Sequence, residues 1–325
     1  MKKSLYIAFG FLFFLHGCAQ EKKEQTMDIL TTSQRIDYLK KNIQRYNYEP
    51  LYQIETETNY SYQVLVNDFP VYTHFGPYGS MKFNINSSIL QSGKQKLEIK
   101  IYPRYINKTD QKEYLDNRGT FKLFITQTAW RKDGGGLEEP KTILEYELPK
   151  ENKQTGNTID YAKLKSFTDS LSFEAKIPYM LQGWTDGEVF KKEDSLQLKA
   201  QVAAFYQDII DAYQKKEWDY FNTQYLQAEK EWYQSEYFPD NIIEEYQKGV
   251  EDSDGKYKIV FFPLENYKLS IYGNGRILCL ETISGKNKGK SAFGYTYENE
   301  ERKGTVYLDL YLYRPKGSSQ FQIIR

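Results

Sequence analysis

The chain has 325 residues with 44 basic and 44 acidic side chains, so its formal net charge is zero. That balance supplies no basic face of the kind nucleic-acid binders present, and the length is enough for two or three domains. Two cysteines and two histidines leave little material for disulfide frameworks, zinc sites or histidine-based catalysis.

At the N-terminus, Lys2 and Lys3 precede an apolar run from Leu5 to Leu15. A bilayer span needs about 20 apolar residues, so this run is too short to cross and fits the central region of a secretory signal. It ends Leu15-His16-Gly17-Cys18. This resembles the lipobox of bacterial lipoproteins, with a branched apolar residue three before the cysteine and a small residue one before it; His16 departs from the usual residue at its position. The resemblance implies that residues 1–17 are removed, that Cys18 carries a diacylglyceryl thioether and usually an N-acyl chain such as palmitate, and that the protein sits in the cell envelope. Each buried methylene contributes about 0.8 kcal/mol, so two or more chains anchor stably. Ala19 is not the aspartate that retains many such proteins at the inner membrane, which favours the outer membrane and leaves open which way the protein faces.

Residues 18–49 are read as the lipidated cysteine, a polar tether (AQEKKEQTM, 19–27) and a helix within 28–46, where Ile29, Ile36, Leu39 and Ile43 recur at helical spacing. From 50 to 182 the period becomes two. Tyr60, Tyr62, Val64 and Val66 alternate with Ser61, Gln63 and Leu65, and similar runs follow at Leu97–Ile101, Phe121–Ile125, Ile143–Leu148 and Ser172–Ile177. Short strands broken by turn signals predict an antiparallel β-sandwich. Within it, Val66-Asn67-Asp68, followed by Phe83, Ile85, Leu90, Gly93, Lys94 and Leu97, resembles the galactose-binding-like jelly roll found beside many glycoside hydrolase barrels. That resemblance implies a fold that often binds carbohydrate, and it carries no ligand residues.

Residues 183–250 are expected to be helical. Asp194 is placed to cap a helix whose face is Leu198, Val202, Phe205, Ile209 and Ala212. Trp218, Phe221, Tyr225, Ala228 and Trp232 mark a second, and Asp240–Lys248 a third that ends at Gly249. Residues 251–325 return to strands as a C-terminal antiparallel sheet. Gly273-Asn274-Gly275 predicts a hairpin turn. Thr305–Tyr313 alternates, with Val306, Leu308, Leu310 and Leu312 on one face and Tyr307, Asp309, Tyr311 and Tyr313 on the other. That second face is either an exposed binding surface or a second packed layer. The fold class is therefore α+β, mostly β.

The chemistry is sparse. After removal of residues 1–17 one histidine remains, His74, read as a loop residue, and one thiol besides Cys18, the buried-looking Cys279. Nucleophile elbows, zinc-protease helices and phosphate loops are absent, and Glu251–Gly255 lacks the spacing of a calcium loop. Two carboxylates suffice for glycoside hydrolysis, with Asp186 and Glu188 beside Trp184 the nominal pair. Without a catalytic residue, cofactor or metal to assign, the chain reads as an envelope-anchored binding protein. Tyr307, Tyr311, Tyr313 and Trp184 are the candidate contacts. Its expected partner is a protein (in an inhibitory, immunity-like or assembly role); the alternatives are a carbohydrate-binding lipoprotein and a carboxylate-dependent hydrolase. Nucleic acid is not expected.

Overall fold

A computed structural model describes residues 28–77, 79–107, 109–191, 195–252, 255–284 and 288–325. Asp194, Cys18 and the 1–17 signal lie outside the described residues, as does part of Glu251–Gly255. The protein is mostly β with four described helices, and its strand pairings are antiparallel.

Two four-stranded sheets make the N-terminal sandwich. Sheet I has the order β4 (Met81–Asn84), β1 (Pro50–Thr58), β6 (Phe121–Ala129), β7 (Lys141–Glu147); sheet II has β3 (Phe69–His74), β2 (Ser61–Val66), β5 (Gly93–Tyr102), β8 (Phe167–Ala175). Leu51, Ile54, Leu123 and Ile125 from sheet I meet Val64, Leu97, Ile99 and Ile101 from sheet II in one core. The Tyr62 ring meets Phe121 edge-on across it at 5.3 Å. The β2–β3 turn is tight because Asn67 and Asp68 both take left-handed backbone, φ 53° and 64°, which short polar side chains tolerate.

The expected alternation in β2 is present in the sequence, but every residue of the strand is buried. The reason is a third layer. Sheet III, ordered β10 (Tyr267–Tyr272), β11 (Ile277–Thr282), β14 (Leu312–Tyr313), β15 (Gln322–Ile323), lies against the outer face of sheet II. Leu65 and Phe69 of the sandwich pack there with Trp184, Ile277, Tyr313 and Ile324. The opposite face of sheet III, with Leu278, Leu280, Leu312 and Ile323, is covered by α2 (Ser195–Gln214) and α3 (Trp218–Glu236). Tyr206 of α2 is fully buried there. Its hydroxyl donates to the Leu310 carbonyl at 2.5 Å and accepts the Leu280 N–H at 3.1 Å, so it closes a gap in the backbone pairing.

The C-terminal region, expected as one sheet, forms two. β13 (Lys303–Tyr307), β12 (Gly294–Glu298) and β9 (Lys258–Phe261) make sheet IV. The run Thr305–Tyr313, expected as one strand, is cut between the two sheets: Leu308 N–H bonds Phe293, and Tyr311 N–H bonds Arg325. The predicted Gly273–Asn274–Gly275 turn is present, with positive φ at all three residues.

α1 (Thr32–Asn42) begins with a capping box, in which Thr31 and Gln34 satisfy each other's backbone N–H groups. It buries Ile36 and Leu39, whereas Ile29 is exposed, a departure from the expected stripe. Arg35, 0% exposed, docks α1 on α3 and α4 (Asp240–Asp252) by donating to Asp219 at 2.9 Å and to Gln247 at 3.3 Å. Gln247 in turn donates to Glu229 at 2.7 Å. Gly249 does not end α4 as expected; the helix continues to Asp252.

α3 joins all layers. Asn86 donates to the carbonyls of Pro50 and Ser235 at 2.8 and 3.0 Å, tying the sandwich to the last turn of α3. Glu231, on the same helix, accepts from Gly183 N–H at 2.9 Å and from the Arg325 guanidinium at 2.7 Å. Arg325 also donates to the Ser87 carbonyl at 2.5 and 3.2 Å and lies over the Trp184 ring. The pair is buried, with side-chain exposures of 7% and 2%. Removing one partner of such a pair leaves an uncompensated charge and costs about 3–5 kcal/mol. Glu231→Ala is therefore expected to lower the urea midpoint sharply, while Glu231→Ala with Arg325→Met recovers part of the loss; equal midpoints for wild type and Glu231→Ala would remove the pair from the structural account.

Glu236, also on α3, is buried and accepts from Asn84 at 2.8 Å, with no cation paired to it among the described residues. Burial lifts its carboxyl from the ordinary 4.5 to about 7. The folded chain thus holds this proton where the unfolded chain has released it. The contribution is fully present below pH about 4.5 and is lost as pH rises through about 7, a swing of about 3 kcal/mol. Glu236→Gln is expected to unfold later than wild type at pH 8 and to flatten the decline in stability between pH 5 and 8. A residual slope remains from Glu229, which desolvation also raises to about 7. An unchanged slope would show that Glu236 is charged in the fold.

Candidate functional site

Where sheets II and III meet, the contact is apolar at one end and polar at the other. At the polar end Glu281, on β11, is saturated: Tyr272 hydroxyl donates at 2.6 Å, Ser270 at 2.7 Å and the Lys268 ammonium at 3.1 Å. Gln63 of the sandwich donates to Tyr272 at 3.1 Å and to Thr73 at 3.0 Å, so the network crosses between layers.

Beyond it a crevice of about 180 Å³ opens between β3, β11, the 289–291 segment and residues 307–311. Its walls include Tyr72, Thr73, Glu281, Lys290, Asp309 and Tyr311. Gly289 is needed on one rim: its φ is 75°, and a Cβ would lie 2.6 Å from the Phe75 ring. Lys288 crosses the same rim, its ammonium 4.8 Å over the Phe75 ring and 3.0 Å from Gln111, which holds the segment against the sandwich.

Asp309 sits where the chain passes from β13 to β14, so neither sheet's ladder constrains it. It reaches solvent, yet the surrounding walls raise its carboxyl above the usual range, an effect opposed by the nearby Lys290 charge. Burial raises the Tyr311 hydroxyl well above 10. The side chains of Asp309 and Lys290 and the Tyr311 hydroxyl make no hydrogen bond within the described residues; the Lys290 carbonyl accepts from Thr282 N–H at 2.9 Å. One acid, one base and one phenol thus face a shared space without partners.

The four residues singled out in the sequence are distributed differently from expectation. The tyrosine face of 305–313 is not an outer surface. Tyr313, 2% exposed, bonds Gln322 at 3.1 Å, and Trp184, 4% exposed, stacks on Phe69 at 5.3 Å. Both are packing residues of the interlayer core, because the sandwich covers the face that the alternation leaves undetermined. Tyr311 packs edge-on to Phe69 at 4.8 Å and also borders the crevice, as does Tyr307. Sequence reasoning missed Lys290, which has no local signal, and Glu281. Asp309 had a signal: a carboxylate within an otherwise aromatic face.

Asp186 and Glu188 do not line the crevice. Asp186 accepts from Gln182 at 2.6 Å and Glu188 from Arg314 at 3.4 Å, as in an ordinary structural turn. His74 is the last residue of β3 rather than a loop residue; its Nε2 is buried without a partner, and burial, with Lys290, keeps the ring below its usual pKa. Among the described residues no group of three His, Cys, Asp or Glu could hold a metal ion.

Cys279 borders the crevice from below at 4% exposure. Burial, with Glu281 and Asp309 nearby, raises its thiol well above 9. In a Cys18→Ser chain, whose one thiol is Cys279, Ellman's reagent at pH 8 is expected to react at least 100-fold more slowly with native than with guanidinium-unfolded protein; comparable rates would show that the floor opens.

Comparison of this chain with family models, with curated proteins and with solved structures finds no match.

Proposed function

We propose that this is an envelope lipoprotein that binds rather than transforms its ligand, anchored through Cys18 and receiving that ligand in the crevice between sandwich and C-terminal sheet. The observation that carries the reading is the set of unpartnered groups at the crevice, Asp309, Lys290 and Tyr311, beside a floor whose own polar groups are already paired. Asp309 is exposed at the mouth and Lys290 and Tyr311 are half-buried; a partner for a half-buried polar group contributes more than on open surface. Glu281 is committed to three donors, and His74 is turned into a buried position. That arrangement supports holding a ligand more than moving protons. The short signal and the Leu15–Cys18 motif support the anchor, with the outer membrane favoured.

A protein partner is the second reading, and a different surface favours it. Trp232 and Tyr246 are exposed and, with Phe238, form an aromatic cluster where α3 meets α4; Phe238 and Tyr246 stack at 5.6 Å. Trp and Tyr are enriched among residues that dominate protein interfaces. Trp232 was expected on the inner face of its helix, and its exposure is a finding of the structure.

The test has two arms. Labelled palmitate is expected to mark the full chain in a bacterial host, and Cys18→Ser to lose the label and leave the membrane fraction; a label that persists ends the anchor assignment. The full-length protein is then melted with the small-molecule fraction of envelope extract. A rise in melting temperature, absent in Asp309→Ala, supports the crevice. A protein captured from the extract by wild type and by Asp309→Ala, but not by Trp232→Ala, overturns the crevice in favour of the aromatic cluster.

A further inference from the structure

The charge arrangement of the crevice selects a ligand class. Lys290 acts on Asp309 through space, yet no ion pair joins them. On the floor, Glu281 is neutralised by Lys268 at 3.1 Å. Inside the crevice these four charges balance; Lys288 adds a fifth on the rim, held over the Phe75 ring and against Gln111. A ligand with a single charge would be attracted by one of Asp309 and Lys290 and repelled by the other. A neutral group that both donates and accepts meets neither penalty. A hydroxyl can donate to the Asp309 carboxylate while its oxygen accepts from Lys290 or from the Tyr311 hydroxyl. Two adjacent hydroxyls satisfy all three at once.

Size and shape agree. A cavity of about 150 Å³ admits benzene; this crevice, about 180 Å³ and open at the exposed Asp309, takes the ring of a sugar with the remaining substituents left in solvent. Tyr311 adds ring surface beside the polar groups, suited to the C–H face of a saturated ring, whereas the Tyr72 ring turns into the sandwich and gives the crevice only its backbone. Tyr311 is itself held edge-on by Phe69 at 4.8 Å, so this wall is preorganised.

We propose that the crevice binds one pyranose unit of a neutral glycan, with vicinal hydroxyls bridging Asp309 and Lys290 and the sugar face against Tyr311. The proposal rests on the reading of the crevice as the binding site and adds the ligand class. The rims built by Gly289 and Lys288 then fix how far a linked sugar on either side can approach.

The experiment titrates the full-length protein with methyl glucoside, methyl galactoside, methyl mannoside and N-acetylglucosamine, followed by isothermal calorimetry and a neutral-glycan array. Spermidine and inorganic phosphate serve as charged probes. At least one neutral sugar is expected to bind, with affinity lowered about tenfold or more in Asp309→Asn and in Lys290→Gln and about threefold in Tyr311→Phe, since a hydrogen bond to a charged group contributes more than one between neutral groups. Unchanged melting temperatures in the three variants are the check that folding is intact, and Tyr311→Phe removes one oxygen only. A sugar that binds all three variants as it binds wild type overturns the proposal, because its site is elsewhere. Binding of spermidine or phosphate alone, lost in Asp309→Asn or Lys290→Gln, overturns the ligand class while the crevice stands. Binding of no probe overturns the proposal, and with no melting shift from envelope extract the crevice reading falls with it.

Discussion

Glu231 and Arg325 meet where the sandwich, the 183–184 connection, α3 and the end of sheet III come together. The carboxylate is held by a backbone N–H, a glutamine and the guanidinium; the guanidinium is held by the carboxylate, two carbonyls and the face of Trp184. Neither charge tolerates burial without the other, so each layer must be in place before the pair is satisfied. Hydrophobic burial between the layers would by itself permit sliding. The paired hydrogen bonds fix where sheet III stops against the sandwich, and so fix the shape of the crevice at its other end.

Sheet III is covered on both faces, which is why its composition departs from a simple inside–outside pattern. Its helical face is aliphatic: Leu278, Leu280, Leu312 and Ile323 meet the inner sides of α2 and α3. Its sandwich face mixes aromatic rings with a hydrogen-bonded acid, Glu281 with Tyr272 and Ser270. Buried polar groups are stable only when satisfied, and here the sandwich supplies part of the satisfaction through Gln63. Where that network ends, Asp309, Lys290 and Tyr311 remain without internal partners. The crevice is thus the point at which the interlayer polar network is left incomplete.

Much of this was legible in the sequence. The amphipathic faces of α2 and α3, the Asn67–Asp68 and Gly273–Gly275 turns, the α+β class and the buried Cys279 all follow from local period and turn chemistry, which act over a few residues. The Leu and Tyr faces of 305–313 were separated correctly, because period two dictates opposite sides. What covers the Tyr face was not legible. Gln63 reaches Tyr272 across a separation of 209 residues, and no local pattern encodes a contact of that range.

The same distinction separates the two classes of result. By itself the sequence determined the alternation, the turns, the helical stripes, and the scarcity of histidine and cysteine that narrows the chemistry. Only the tertiary structure decided that Trp184 and Tyr313 are interior, that Trp232 is exposed, that the 305–313 run divides between two sheets, and that Asp309 and Lys290 share a crevice. The physical reason is that a strand's side-chain direction is fixed by its own backbone, whereas burial of that direction depends on which distant layer packs on it.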